Sequence, residues 1–123
     1  MKVKVFLSTS ISSIGSDEEY KKICYFIERV VRTEYEALRP EDEIIIFSNY
    51  GENEIPSGVN LKLHHLELAL NKMKHCDVFF LLREIDGTIK PGCMIELNAW
   101  LTSPINCPPI MINKPILEKE YLE

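Results

Sequence analysis

The chain alternates short apolar runs with longer stretches in which apolar residues return every three or four positions. Residues 2–8, KVKVFLS, alternate lysine with apolar side chains and then turn apolar, as a strand does when it enters a core. Beyond the polar stretch TSISSIG, the segment SDEEYKKICYFIERVVRTEYEAL places Tyr20, Ile23, Cys24, Ile27, Val30, Val31 and Leu38 at helical spacing. Ser16 with Glu19 makes a capping box at its start, Asp17 and Glu18 suit the first turn, and Pro40 stops it. EIIIFSN, at 43–49, is a continuous apolar run and predicts a strand covered on both faces. After the turn-rich loop YGENEIPSG, a second helix is expected from about Gly58 to His75. Ser57 would be its N-cap, with Leu63, Leu66, Leu70 and Met73 on one stripe. DVFFLL (77–82) predicts a further apolar strand. The loop REIDGTIKPG, the helix CMIELNAWL and a last strand near PPIMIN (108–113) follow.

Helices therefore separate every pair of strands. That order predicts a three-layer α/β sandwich around a central parallel sheet of four to five strands, flavodoxin/Rossmann-like, with right-handed crossovers. A chain of 123 residues fits one domain, assigned here to 1–113, with the polar KPILEKEYLE (114–123) as a peripheral tail.

Composition changes this picture little. The chain is 46% hydrophobic and 27% charged, as soluble globular proteins are. No apolar run approaches the roughly 18 residues of a membrane span, and MKVKVFL is too short for a signal peptide, so a cytoplasmic protein without a membrane partner is expected. The formal charge of −5 argues against a nucleic-acid polymer as partner, although backbone N–H groups can still hold a small anion locally. Cys24, Cys76, Cys93 and Cys107 are widely spaced without a C-x-x-C pair, which suggests reduced thiols filling the core. His64 and His65 stand side by side, so only one can face a given site, and no H-E-x-x-H accompanies them. Neither a metal nor a cofactor is expected.

In open parallel sheets, ligands bind beyond the carboxyl ends of the strands. Those ends carry Ser8 to Ser13, Ser48 to Tyr50, and Arg83 to Gly92, so three loops rich in hydroxyls, amides and small residues point to one rim. The first offers Ser8, Thr9, Ser10, Ser12 and Ser13 ahead of a helix N-terminus, which suits a phosphate or serves equally as a solvated loop with N-cap serines. It is neither G-x-G-x-x-G nor a Walker A sequence. Arg83 and Lys90 are the cations of the third loop, and Tyr50 is the rim aromatic best placed to stack on a base, whereas Phe80 and Trp100 belong in the core. Glu96 lies about one turn into a helix that begins at Pro91 and Gly92. Under the positive end of the helix dipole it would stay ionised, as a nucleophile must, or would simply improve the helix.

VFLSTSISSIGSDEEY, MKHCDVFFLL, PGCMIELNAW and CPPIMI, in that order, resemble the nucleoside 2-deoxyribosyltransferase superfamily, including its deoxynucleoside-monophosphate N-glycosidase branch. The resemblance rests on a strand with a Ser/Gly loop, an Asp opening an apolar strand, and Gly-x-x-x-Glu opening a helix. It implies that Glu96 attacks the anomeric carbon of a (deoxy)ribosyl group, releasing a base and leaving a glycosyl-enzyme for water or another base. It further implies that Ser10, Ser12 and Ser13 hold a 5′-phosphate or 5′-hydroxyl, that Gly92 opens the catalytic helix, and that the chain is a homo-oligomer. Asp77 matches the family's Asp at the strand start but lies at the amino end, away from the rim, and reads as structural. The family's second carboxylate falls near Ala69. His65 and Glu67 are expected to point elsewhere on that helix, which leaves Asp86, in the third loop, to take the acid's place. The hydrolase branch tends to have a serine before the glycine where this chain has Lys90. Two other readings stand beside the enzyme: a non-catalytic protein that sequesters or senses a nucleotide-derived signal, and an interaction domain, since KVFLSTS resembles the first strand of TIR-like folds.

Overall fold

The structure is a computed structural model that describes residues 2–11, 14–51, 61–103 and 107–114. Alternation organises its first strand, β1 (Lys2–Ser8): Val3, Val5 and Leu7 face one side, and Phe6 and Ser8 face the other. The remaining elements are α1 (Asp17–Glu34), β2 (Glu43–Phe47), α2 (Leu61–Met73), β3 (Val78–Arg83), α3 (Pro91–Leu101) and β4 (Ile110–Asn113). The four strands form one parallel sheet in the order β2-β1-β3-β4. This is the expected α/β sandwich, with the strand order of flavodoxin-like folds.

Each sheet face has its own core. On the first, Val5, Leu7, Val78, Phe80 and Leu82 meet Ile23, Ile27 and Val31, a one-turn-spaced stripe of α1. On the second, Phe6, Phe79 and Leu81 meet Ala69 and Met73 of α2 and Cys93, Leu97 and Trp100 of α3. Trp100 is fully buried, its ring 5.5 Å from that of Phe79 and its Nε1–H donating to the Cys107 carbonyl at 2.8 Å. With α1 on one face and α2 and α3 on the other, the chain winds outward from β1 to β2, recrosses to β3 and continues to β4. Crossovers of a single hand require that arrangement. The winding reverses between β1 and β3, so the carboxyl ends of those strands, Ser8 and Arg83, flank the switch point.

Some boundaries differ from those the pattern predicts. α1 ends at Glu34, before Leu38, because Tyr35 and Leu38 turn back onto the first core. Arg32 locks that turn, donating to the carbonyls of Arg39 (3.0 Å) and Asp42 (2.7 Å). β2 is an edge strand and only half-buried: Ile44 and Ile46 pack on the first core and Phe47 on the second, so both faces are covered in part, while no strand pairs with its outer edge among the described residues. The expected start of α2 at Gly58, with its Ser57 cap, lies outside the described residues, as does the tail beyond Lys114. No helix among the described residues is long and apolar enough to cross a membrane.

Asp77 proves structural. Its amide donates to the Lys4 carbonyl at 2.7 Å and its Oδ2 accepts from the Lys4 amide at 2.9 Å, which extends the β1–β3 ladder by a side chain. This clasp sits at the amino end of the sheet, a strand's length from the rim. Asp77→Ala should therefore lower stability by about 0.5–1.5 kcal/mol in urea denaturation, with ligand binding at the rim unchanged.

Candidate functional site

Two features of local sequence bring a hydroxyl and a carboxylate together across 88 residues of chain. Ser8 follows Phe6 by one strand period, so its side chain faces the α2–α3 layer; it is only 1% exposed. Opposite it, α3 starts at Pro91 with Lys90 in extended backbone as N-cap, which sets Glu96 in the second turn, three residues after Cys93 and on the same side of the helix. The Ser8 hydroxyl donates to Glu96 Oε1 at 2.5 Å.

Around this pair is a cavity of about 460 Å³, within the usual range for small-molecule sites. Thr9, Ser10 and Ile11 line it from the end of β1, Asn49 from the end of β2, His65 from α2, and Lys90, Gly92, Cys93 and Glu96 from the start of α3. A groove of about 780 Å³ adjoins it, with walls of Leu63, Leu66, Pro91 and Ile95. His65, Gly92 and Glu96 line both spaces. The carboxylate thus stands between a hydroxyl-rich chamber and an apolar one.

The electrostatics differ from the simple helix-dipole expectation. Burial pushes the Glu96 carboxyl above its ordinary value, against the opposing pull of the Ser8 hydrogen bond. Burial likewise pushes the Cys93 thiol up to about 11, with Ser8 lowering it and Glu96 raising it by lesser amounts, so Cys93 is a packing group rather than a nucleophile.

Of the rim residues expected from sequence, Ser8, Thr9, Ser10, Lys90, Gly92 and Glu96 come together here. Ser12 and Ser13 lie outside the described residues. Three others do not reach the cavity. Tyr50 is on the opposite face of the sheet, its ring stacked on Tyr20 at 4.3 Å and its hydroxyl donating to Asp17 Oδ1 at 2.5 Å, so its aromatic face is already engaged. Arg83 turns toward β4 and donates to the Met111 carbonyl at 3.3 Å. Asp86 is exposed in the turn after β3, accepting from the Thr88 amide (3.0 Å) and hydroxyl (2.7 Å). Those bonds hold its carboxyl below the ordinary range, the reverse of what a proton donor needs.

The N-termini of α1 and α3, both at the rim, also differ. The start of α1 is satisfied internally: Ser16 Oγ accepts from the Glu19 amide, Glu19 Oε2 accepts from the Gly15 amide, and three acidic residues fill the first turn. The start of α3 has no side-chain cap and no acidic residue in its first turn. An anion is therefore better received at α3 than at the serine loop.

Sequence reasoning missed two residues. Asn49 donates from Nδ2 to the His65 carbonyl at 2.8 Å, while its Oδ1 is buried with no hydrogen-bond partner among the described residues. A buried, unmet acceptor on a cavity wall suits a ligand hydroxyl or N–H. His65 was expected to point away, yet it precedes Ala69 by one helical turn and shares its side of α2, the relation that was decisive. Among the described residues no group of three or more His, Cys, Asp or Glu side chains could hold a metal ion.

The chain matches no family profile, no curated protein and no solved structure.

Because folding raises the Glu96 pKa, the native state binds the proton more tightly than the unfolded chain, so stability falls as pH rises from the unfolded carboxylate range through the folded value. Glu96→Gln removes this penalty and keeps an oxygen for Ser8. Its melting temperature should exceed that of the wild type at pH 7 by about 2–5 °C, and the gap should close once the wild-type carboxyl is protonated. Thermal melts across pH check this.

Proposed function

We propose that the chain binds a nucleoside, nucleotide or nucleotide-derived small molecule at the β1–β3 switch point and cleaves or transfers its N-glycosidic bond, with Glu96 as nucleophile. One observation carries this reading: a mostly buried carboxylate at the rim, oriented by the Ser8 hydroxyl at 2.5 Å and facing a cavity of nucleoside size. Burial makes such a carboxylate costly, and a hydroxyl bond at one oxygen, Oε1, would leave the other, Oε2, for a bound substrate. The partition at Glu96 fits a molecule with a polar half and a flat, weakly polar half. A ribosyl group would occupy the hydroxyl-rich chamber, with Thr9, Ser10 and the open Asn49 Oδ1 to meet its hydroxyls. The base would lie against Leu63, Leu66 and Ile95. Lys90 and the uncapped first turn of α3 would receive a 5′-phosphate.

In this reading, Glu96 bonds to the anomeric carbon as the base leaves, through an oxocarbenium-like transition state. Water or a second base then resolves the glycosyl-enzyme. The resemblance to deoxyribosyltransferases in the order of motifs supports the same role for Glu96, and by that resemblance the chain would act as a homo-oligomer.

A non-catalytic binder is the second reading. Glu96 is the only carboxylate on either cavity wall among the described residues, and its raised pKa weakens it as an anion.

Incubation with deoxynucleoside monophosphates, ribonucleotides, NAD and cyclic nucleotides separates the two. Release of free base is expected from the wild type and is abolished in Glu96→Gln, which should keep the ligand-induced rise in melting temperature. A rise with every ligand recovered intact would instead establish the binder. No Cβ clash arises at Gly92, so Gly92→Leu should fold normally, project into both cavities and remove the thermal shift.

A further inference from the structure

A glycosidic bond to a nucleobase breaks slowly unless the base is protonated as it departs, and Glu96 as the nucleophile cannot supply that proton. The position on α2 where the resemblance would place an acid is Ala69, a methyl group that is 0% exposed in the second core. One helical turn toward the rim, on the same side of α2, His65 lines both the hydroxyl-rich cavity and the apolar groove. With Glu96 it marks the boundary that a base crosses when it separates from its sugar. The backbone of His65 is fixed there by Asn49, whose amide bonds its carbonyl at 2.8 Å, while Lys72, also on α2, donates to the Ser48 carbonyl at 2.6 Å and ties the same helix to the end of β2.

We propose that His65 is the general acid–base of this site, a role that rests on the glycosidase reading above. In the first half-reaction, Glu96 Oε2 bonds to the anomeric carbon while the carbon–nitrogen bond breaks. That bond's electron pair leaves on the base, and the imidazolium proton of His65 goes to a nitrogen of the base. In the second, the neutral imidazole takes a proton from water as the water oxygen bonds to the anomeric carbon, and the ester bond to Glu96 breaks to restore the carboxylate. The sum is nucleotide plus water giving free base plus free sugar phosphate. Imidazole is the side chain whose ordinary titration range permits both steps near neutral pH. The titratable and charged groups sharing its cavities are Glu96 and Cys93 of α3 and Lys90 ahead of it, with His64 beside it on α2, ring centroids 6.0 Å apart.

The test compares wild type with His65→Gln on deoxynucleoside monophosphates and on para-nitrophenyl 2-deoxyriboside, whose leaving group departs without a proton. His65→Gln should lower kcat for base release by about 10²–10⁴-fold. It should still give a burst of about one nitrophenolate per chain at close to the wild-type rate, since only the first half-reaction is read, and that burst also shows that the variant is folded. Base release by His65→Gln at the wild-type rate, or equal losses of base release and nitrophenolate burst, overturns the assignment to His65 and leaves the glycosidase reading standing. A wild type that releases neither base nor nitrophenolate overturns the glycosidase reading and this assignment with it.

Discussion

The hydrogen bond from Ser8 to Glu96 is the constraint around which the rest of the molecule is arranged. It links the carboxyl end of a central strand to the second turn of α3 at 2.5 Å. A glutamate in the largely apolar helix PGCMIELNAWL gives up hydration, and its carboxyl is pushed upward as a result. A methionine or glutamine would fit the same volume at lower cost. The serine is the matching sacrifice on the other side: a hydroxyl on the Phe6 face of β1, where the strand pattern would otherwise place an apolar side chain.

Topology converts that pair into a site. Because the sheet runs β2-β1-β3-β4, the chain leaves β1 in one direction and β3 in the other, and the carboxyl ends of the two strands flank a switch point. Helix α3 packs its Cys93, Leu97 and Trp100 onto the sheet, and this brings its own uncapped N-terminus to that point. Helix α1, on the opposite face, brings a terminus already closed by Ser16 and Glu19. The rim is therefore asymmetric, and its open donors are on the Glu96 side. Lys90 and Gly92 reach the cavity for the same reason, and Tyr50 does not, because it packs with α1 against the other face.

Much of the fold was legible because periodicity is a local property. The stripe Ile23, Ile27, Val31 and the apolar runs of β1 and β3 are visible without tertiary contacts, as is the capping box at Ser16. Boundaries were less legible where tertiary packing decided them: α1 stops at Glu34 because Tyr35 and Leu38 are more useful against the core than in another helical turn. Candidate site residues divide along the same line. Those adjacent to strand ends, Ser8 to Ser10, and those opening α3 were identifiable from position alone. Asp86 and Arg83 were near the rim in sequence, but local hydrogen bonds to Thr88 and to the Met111 carbonyl turn them away.

By itself, then, the amino-acid order determined the alternation of strands and helices, the parallel sheet it implies, and the single carboxylate at the start of α3. Each follows from residue spacing within a few turns of chain. Only the tertiary structure decided which side chains share a cavity with Glu96. The strand order, the division of helices between the two faces, and the placement of His65 and Asn49 across from α3 depend on contacts between segments tens of residues apart. Such contacts are chosen by how apolar faces pack together, and no local pattern records that choice.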